Sequence, residues 1–270
     1  AHHLDALAGF TAQKETTKRL YGTGNTYPDD LTPFLGSATL KSSNSDQYGW
    51  TMAAFLGRVN YSYKDRYLFS GTFRREASSR FGINHKWGNF PALSAGWRIS
   101  EESFMKDVAW LSNLKLRGSW GITGNSDIPN YESLSFMNTS NYILGGSLAS
   151  GKVVGSFANS KLAWEKSSQL DIGLDAGAFQ DKVSFTAEYY RRITTDMLLG
   201  IPLPAISGFT SSFSNIGKVE NDGLEFQLGY RDQFGAVHVH GSFNISFNHY
   251  KVLAINGPND EIWNGTLANA

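Results

Sequence analysis

Apolar and polar positions alternate with a period of two along much of this chain, most clearly from Leu170 to Arg192, LDIGLDAGAFQDKVSFTAEYYRR. Leu170, Ile172, Leu174, Ala176 and Ala178 fall on one side of an extended backbone, and Asp171, Gly173, Asp175 and Gly177 on the other, which is the periodicity of a strand. After a break at Gln180, Asp181 and Lys182, the residues Val183, Phe185, Ala187 and Tyr189 alternate with Ser184, Thr186, Glu188 and Tyr190. The stretch reads as a hairpin. Each arm sustains the alternation for about ten residues, roughly what a tilted strand needs to cross a bilayer and about twice a usual globular strand. These are the dimensions of a membrane barrel wall.

The same pattern recurs on both sides. Leu4, Ala6, Ala8 and Phe10 alternate with Asp5, Leu7, Gly9 and Thr11 with no cap or turn before them, which places the natural start upstream. Lys14 to Asp46, containing TGNTYPDD, has loop chemistry and is expected as a long connection. Further strands are expected at about 47–63, 66–75, 93–99, 113–123, 223–231 and 236–247, with Lys64 and Asp65 as a brief turn and Pro91 at or just before its strand's first residue. Loops are expected at Ser78 to Phe90, over the roughly forty residues rich in Asn, Ser, Gly and Tyr that lead from the 113–123 strand to the Leu170 hairpin, and at Thr194 to Asn221, and Asn256, Gly257 and Pro258 open another. Ser100 to Ser112 interrupts the alternation with a helical turn, Ser100 its N-cap.

Long connections thus follow the odd strands and short ones the even strands, the asymmetry of outer-membrane barrels with their short periplasmic turns and long extracellular loops. Tyr61, Tyr63, Tyr67, Trp97, Tyr189 and Tyr230 sit near strand ends, as interfacial girdles would. Nine strands with two open edges are not a complete object in lipid. The expected fold is all-β, a segment of a larger antiparallel up-and-down transmembrane barrel.

Composition sharpens this. The chain has 24 basic and 24 acidic residues and net charge zero, which gives no footing to a nucleic-acid reader. It has no cysteine, so disulfide frameworks and thiolate metal sites are excluded, as suits export through an oxidising space. No apolar run is long enough for a helical span, and residues 1–20 lack the segments of a signal peptide. The 28 glycines, 18 phenylalanines, 12 tyrosines and 7 tryptophans with a slightly polar mean hydropathy fit strands whose alternate residues face lipid and water.

Several stretches carry a resemblance. YSYKDRYLFSGTFRREASSRFG at Tyr61 to Gly82, KWGNFPALSAGWRISEESFM at Lys86 to Met105, LKLRGSWGITGN at Leu114 to Asn125, LAWEKSSQLDIGLD at Leu162 to Asp175, YYRRITTDMLL at Tyr189 to Leu199 and NIGKVENDGLEFQL at Asn215 to Leu228 are similar to the SusC/RagA family of TonB-dependent transporters in the outer membrane of Bacteroidetes. The matches keep order and spacing from about Leu4 to Asn248; the loops at Lys14 to Asp46 and Asn130 to Ser160 do not share them. The resemblance implies a barrel of about 22 strands with a plug in its lumen, of which residues 1–270 would be part of the barrel domain without plug, TonB box or terminal strands. It also implies uptake of oligosaccharides or peptides, with a SusD-like surface lipoprotein and the TonB–ExbB–ExbD complex as partners, no cofactor and no catalysis.

Candidate site residues fall into two groups. Asp171, Asp175 and Glu188 could serve as paired carboxylates for acid–base chemistry. Their alternation instead puts them on the polar face with Arg98, Lys115, Arg117 and Arg192 of other strands, where ion pairing along a lumen wall is the ordinary role. Trp87, Tyr131, Phe136, Tyr142, Trp164, Phe209 and Phe213 lie in expected loops, where aromatic rings beside amides and carboxylates suit sugar or peptide recognition, or simply pack the loops. His238 and His240 share a strand face but lack a third ligand, so no metal site is assigned. The Asn-x-Ser/Thr triplets at Asn60, Asn138, Asn244 and Asn264, and Gly145 and Gly146, have no functional reading. Two rivals remain at this stage: a TonB-independent porin or adhesin-like barrel, and a soluble carbohydrate-binding β-sandwich whose apolar faces meet in a core.

Overall fold

A computed structural model describes residues 1–255. The loop expected to open at Asn256, Gly257 and Pro258, and the triplet at Asn264, lie outside the described residues. The strands are β1 (His2–Asn25), β2 (Leu40–Tyr63), β3 (Tyr67–Ser78), β4 (Trp87–Arg98), β5 (Leu111–Asn125), β6 (Met137–Leu144), β7 (Ser147–Val154), β8 (Glu165–Ala178), β9 (Val183–Thr195), β10 (Leu198–Pro202), β11 (Ser211–Asn215), β12 (Lys218–Phe234) and β13 (Val237–Ala254). Nine form one sheet in the order β1-β2-β3-β4-β5-β8-β9-β12-β13, while β6-β7 and β10-β11 are separate hairpins within long connections. Every pairing is antiparallel, and strands adjacent in the sheet follow one another along the chain apart from these two inserts. This is the up-and-down wall that the alternation predicts, not closed into a barrel among the described residues.

Register makes the wall two-faced. Val59 pairs with Gly71, Gly71 with Leu93, Leu93 with Trp120 and Trp120 with Leu170. One strand-step away, Ile172 meets Tyr189, Tyr189 meets Leu224 and Leu224 meets Phe247. This apolar face stays uncovered: Leu93 is 60% exposed and Phe243 62%. Among the described residues no second sheet packs on it, which overturns the sandwich expectation, because a sandwich buries such a face against its partner.

Several bounds differ from the sequence reading. β1 and β2 are each 24 residues long and pair without interruption from His2–Tyr63 to Asn25–Leu40. Most of the loop expected at Lys14 to Asp46 is therefore strand. β3 reaches only as far as the Met52–Ser78 pair, so beyond it this hairpin projects past its neighbour. Both its faces then meet water, no alternation is required, and the strand signal vanishes while the ladder continues. The exposed Met137–Val154 hairpin is hidden the same way, whereas the short Leu198–Asn215 hairpin packs Leu198 and Phe213 on a cluster from other connections and is too brief to show a period. Pro91 sits inside β4, one residue before pairing with β5 begins at Ala92–Gly121, where its missing N–H leaves no gap in that ladder.

At the short-turn end, Lys64 and Asp65 take left-handed φ of 52° and 56°, as a tight hairpin requires. Phe179, Gln180 and Asp181 do so in succession (54°, 62°, 61°). Neighbours on both sides over-determine this turn: Phe179 N–H donates to Trp110 O at 2.7 Å, Asp181 N–H to Ser112 Oγ at 3.0 Å, and Arg231 N–H to Lys182 O at 2.8 Å. The β4–β5 link holds two 3-10 turns, Ile99–Glu101 and Ser103–Met105, and the first is capped by Arg98 with no side-chain bond, so Ser100 is not the N-cap.

Glu102 ties this link to the wall. Its carboxylate accepts from Tyr67 Oη at 2.6 Å, Trp97 Nε1 at 3.1 Å and Arg66 Nη1 at 3.2 Å. Tyr63, Tyr67 and Trp97 stack in sequence at 6.3 and 6.5 Å as part of the expected girdle, whereas Tyr189 lies mid-strand in β9 between Ile172 and Leu224. The Tyr67 and Trp97 hydrogen bonds, then Arg66, hold the Glu102 carboxyl below the usual carboxylate range. Its stabilisation of the link is therefore complete above the unfolded pKa of about 4.3 and is lost as pH falls through the lower folded value. Hydrogen exchange of the 99–110 amides should accelerate only on that acid side, and Glu102→Gln should remove the acid limb; a variant with the same limb would assign it to another group.

Candidate functional site

The face opposite the apolar one is polar and continuous. Arg98 pairs in register with Lys115, Lys115 with Asp175 and Asp175 with Thr186. The next row runs Gly96, Arg117, Gly173, Glu188 and Glu225, and another Ser94, Ser119, Asp171 and Tyr190. Period two makes this unavoidable once the odd positions of β5 and β8 and the even positions of β4 and β9 share a side.

Arg117 is the hub. Its Nε donates to Asp175 Oδ2 at 3.2 Å and its Nη2 to Glu188 Oε2, two strands from its own. The guanidinium can cross β8 because Gly173 lies beneath it: a Cβ there would stand 2.6 Å from Arg117 Cζ. The three side chains keep 26–32% of their surface exposed, so the network orders the wall more than it stabilises it. A second chain links Ser119 to Asp171 at 3.1 Å, Gln169 to Asp171 at 2.6 Å and Arg192 to Gln169 at 2.7 Å. Together these contacts gather Arg117, Asp171, Asp175, Glu188 and Arg192, while Arg98 and Lys115 adjoin them in register without an ion pair to a described residue. Ser70, Ser94, Lys115, Arg117, Ser119 and Asp171 border a depression of about 370 Å³ on this face.

A second cleft, of about 630 Å³, opens on the same face at the long-connection end, between Arg19, Tyr48, Arg80, Asp127 and Tyr131. Arg19 lies over the Tyr48 ring at 4.4 Å and Arg80 over Trp50 at 5.1 Å. Arg80 is fixed by Asn130 Oδ1 and Ser126 O, each at 3.0 Å. Two guanidiniums seated on rings beside open space can hold carboxylate or hydroxyl groups of a passing ligand. Of these residues the sequence offered Tyr131 as a loop aromatic; Arg19, Arg80 and Asp127 stand in stretches read as loops and carry no periodic signal, and Tyr48 and Trp50, two apart at the start of an expected strand, were the further available signal.

The loop aromatics scatter. Tyr131 lines the cleft, accepts Gly49 N–H at 2.9 Å and meets Phe136 edge-on at 5.6 Å. Tyr142 is exposed on β6, and Phe209 meets Phe157 edge-on at 5.9 Å. Trp87 is the first residue of β4, on the apolar face, stacked on Phe55 at 6.2 Å beneath Arg75 at 5.2 Å. Trp164 is buried at 3% exposure with Phe81, Phe90, Ile128 and Leu162, and Phe213 packs against that cluster. These last three residues stand inside packing or on the outward face and do not line the cleft, although Ile128 of the Trp164 cluster does. Among the described residues no group of three potential metal ligands converges.

The family model described as TonB dependent receptor-like, beta-barrel matches residues 2–269. TonB-dependent receptor SusC of Bacteroides thetaiotaomicron is 37% identical over 217 residues, 78% of this chain and 22% of its own length. TonB-dependent receptor P26 of Formosa agariphila is 36% identical over 231 residues, 84% of this chain and 23% of its own length. The structure of the RagAB peptide transporter superposes with a TM-score of 0.84 at 29% identity, covering 94% of this chain and 28% of that one. The chain spans about a quarter of the length of the curated relatives it matches.

Proposed function

Because this chain belongs to the TonB-dependent receptor β-barrel family, we propose that it forms part of the outer-membrane wall of an importer that takes up oligosaccharides or peptides. The observation that carries this reading is the single nine-stranded sheet with one continuous uncovered apolar face and one continuous polar face. In lipid such a sheet has its apolar side satisfied by acyl chains and its ladders closed by further strands. The polar rows around Arg117 then line a lumen, and the cleft at Arg19 and Arg80 stands at its mouth. Similarity to the RagAB peptide transporter supports the peptide class; the oligosaccharide class and a SusD-like lipoprotein at that mouth follow from the SusC/RagA resemblance of the sequence. Uptake against a gradient requires work from TonB, since a ligand shifts an equilibrium only by its own differential affinity.

Deleting the whole gene and following uptake of labelled oligosaccharide and labelled peptide pools, with and without a protonophore, tests this. Uptake of one pool is expected to depend on both the gene and the proton gradient. Dependence on the gene alone would favour the TonB-independent porin, and dependence on neither would overturn import.

A further inference from the structure

Charge on the outward face is distributed unevenly between its two ends. Towards the short turns the apolar band gives way to Tyr63, Tyr67, Trp97 and Tyr230, where Glu102 is paired with Arg66, Asp232 with Lys182, and Lys64 lies over the Tyr63 ring at 5.3 Å. Towards the long connections it gives way to bases. On β8 the outward positions after Leu170 are Ser168 and Lys166; on β9 Tyr189 is followed by Arg191; on β13 Phe247 is followed by His249 and Lys251. Register aligns Lys166 and Lys218 on either side of Thr195, with Lys251 opposite Glu220. All three lysines are exposed.

The two acids at outward positions of β12 are engaged. Glu220 takes Arg191 at 2.6 Å and Asp222 takes His249 at 3.2 Å. Lys166, Lys218 and Lys251 make no ion pair with any described residue, so among the described residues three ammonium groups stand unpaired on the outward face. The same switch recurs further along the sheet, where Phe10 is followed by Lys14 and Lys18, and Phe73 by Arg75.

We propose that Lys166, Lys218 and Lys251 form a basic collar that binds the phosphate groups of lipid headgroups in the leaflet at the long-connection end. The proposal rests on the reading of the apolar face as lipid-facing. The collar begins where that face ends and lies on the side away from the Arg19–Arg80 cleft, so what it meets is the polar surface of the membrane and not an incoming substrate. Anionic headgroups complement it, and ammonium groups at such a surface attract them within a screening length.

The test uses the full-length receptor in phosphatidylcholine nanodiscs containing phosphatidic acid, with retained lipid counted by native mass spectrometry after detergent release. The wild type should retain phosphatidic acid over phosphatidylcholine. K166Q/K218Q/K251Q should lower that preference by about fivefold per lysine, on the order of a hundredfold together, while K166R/K218R/K251R keeps it and millimolar inorganic phosphate does not displace the lipid. Equal retention by the glutamine variant, or displacement by inorganic phosphate, would overturn the collar while leaving the importer reading intact. A receptor that does not insert into the discs at all would overturn both.

Discussion

Replacing Leu93 by arginine is expected to destabilise the folded receptor by about 2–4 kcal/mol when its wall is in a bilayer, and by no more than about 0.5 kcal/mol if the same face met water. Leu93 is 60% exposed, stands in register between Gly71 and Trp120, and shares its side of β4 with Trp87 and Trp97 towards the two strand ends. That puts it near mid-depth, where an arginine head has the furthest to snorkel. Urea titration of the full-length protein folding into lipid vesicles reads the difference directly. Ser94→Asn, the next residue but on the polar side, is the control expected to change little. A Leu93→Arg protein with wild-type stability would remove the lipid-facing assignment, and with it the collar of lysines above it.

What the sequence disclosed was whatever the bilayer forces to alternate. The Leu170 hairpin, its partner faces and the polar grouping of Arg117, Asp171, Asp175 and Glu188 follow from period two alone, and the observed register places them side by side. The outer halves of β1 and β2 escaped because nothing there is forced: with water on both faces, Thr, Ser, Asn and Gly serve as well as Val and Phe, and the ladder is held by the partner strand. Contacts such as Tyr21 Oη to Asp46 at 2.9 Å knit that hairpin but leave no periodic trace. The cleft at Arg19 and Arg80 was illegible for the same reason. Arg117 illustrates a different limit: its polar face was readable, but its reach across β8 to Glu188 depends on Gly173, whose role appears only when the strands are laid side by side.

Trp164 takes the packing alternative for the loop aromatics, and it carries the largest expected effect. Above the Ala92–Gly121 pair β4 and β5 no longer pair. Aromatic packing holds the strand ends and loops together there: Phe81 and Phe90 contact the Trp164 ring at 5.0 and 5.1 Å, with Leu162 at 0% exposure beside them. A Cβ on Gly124 would come within 2.8 Å of the indole, so the glycine lets β5 approach it. The indole N–H donates to Lys86 O at 2.8 Å, joining the start of β8 to the approach to β4. Trp164→Ala should therefore cost about 3–5 kcal/mol, the range for emptying an aromatic site that cannot collapse. Trp164→Phe should restore most of it, leaving about 1 kcal/mol for the lost hydrogen bond. Denaturant midpoints of the full-length protein, with limited proteolysis of the 126–164 connection, separate this from a binding role. If Trp164 served chiefly as a platform for substrate, the alanine variant would keep its midpoint and protease resistance and lose only ligand.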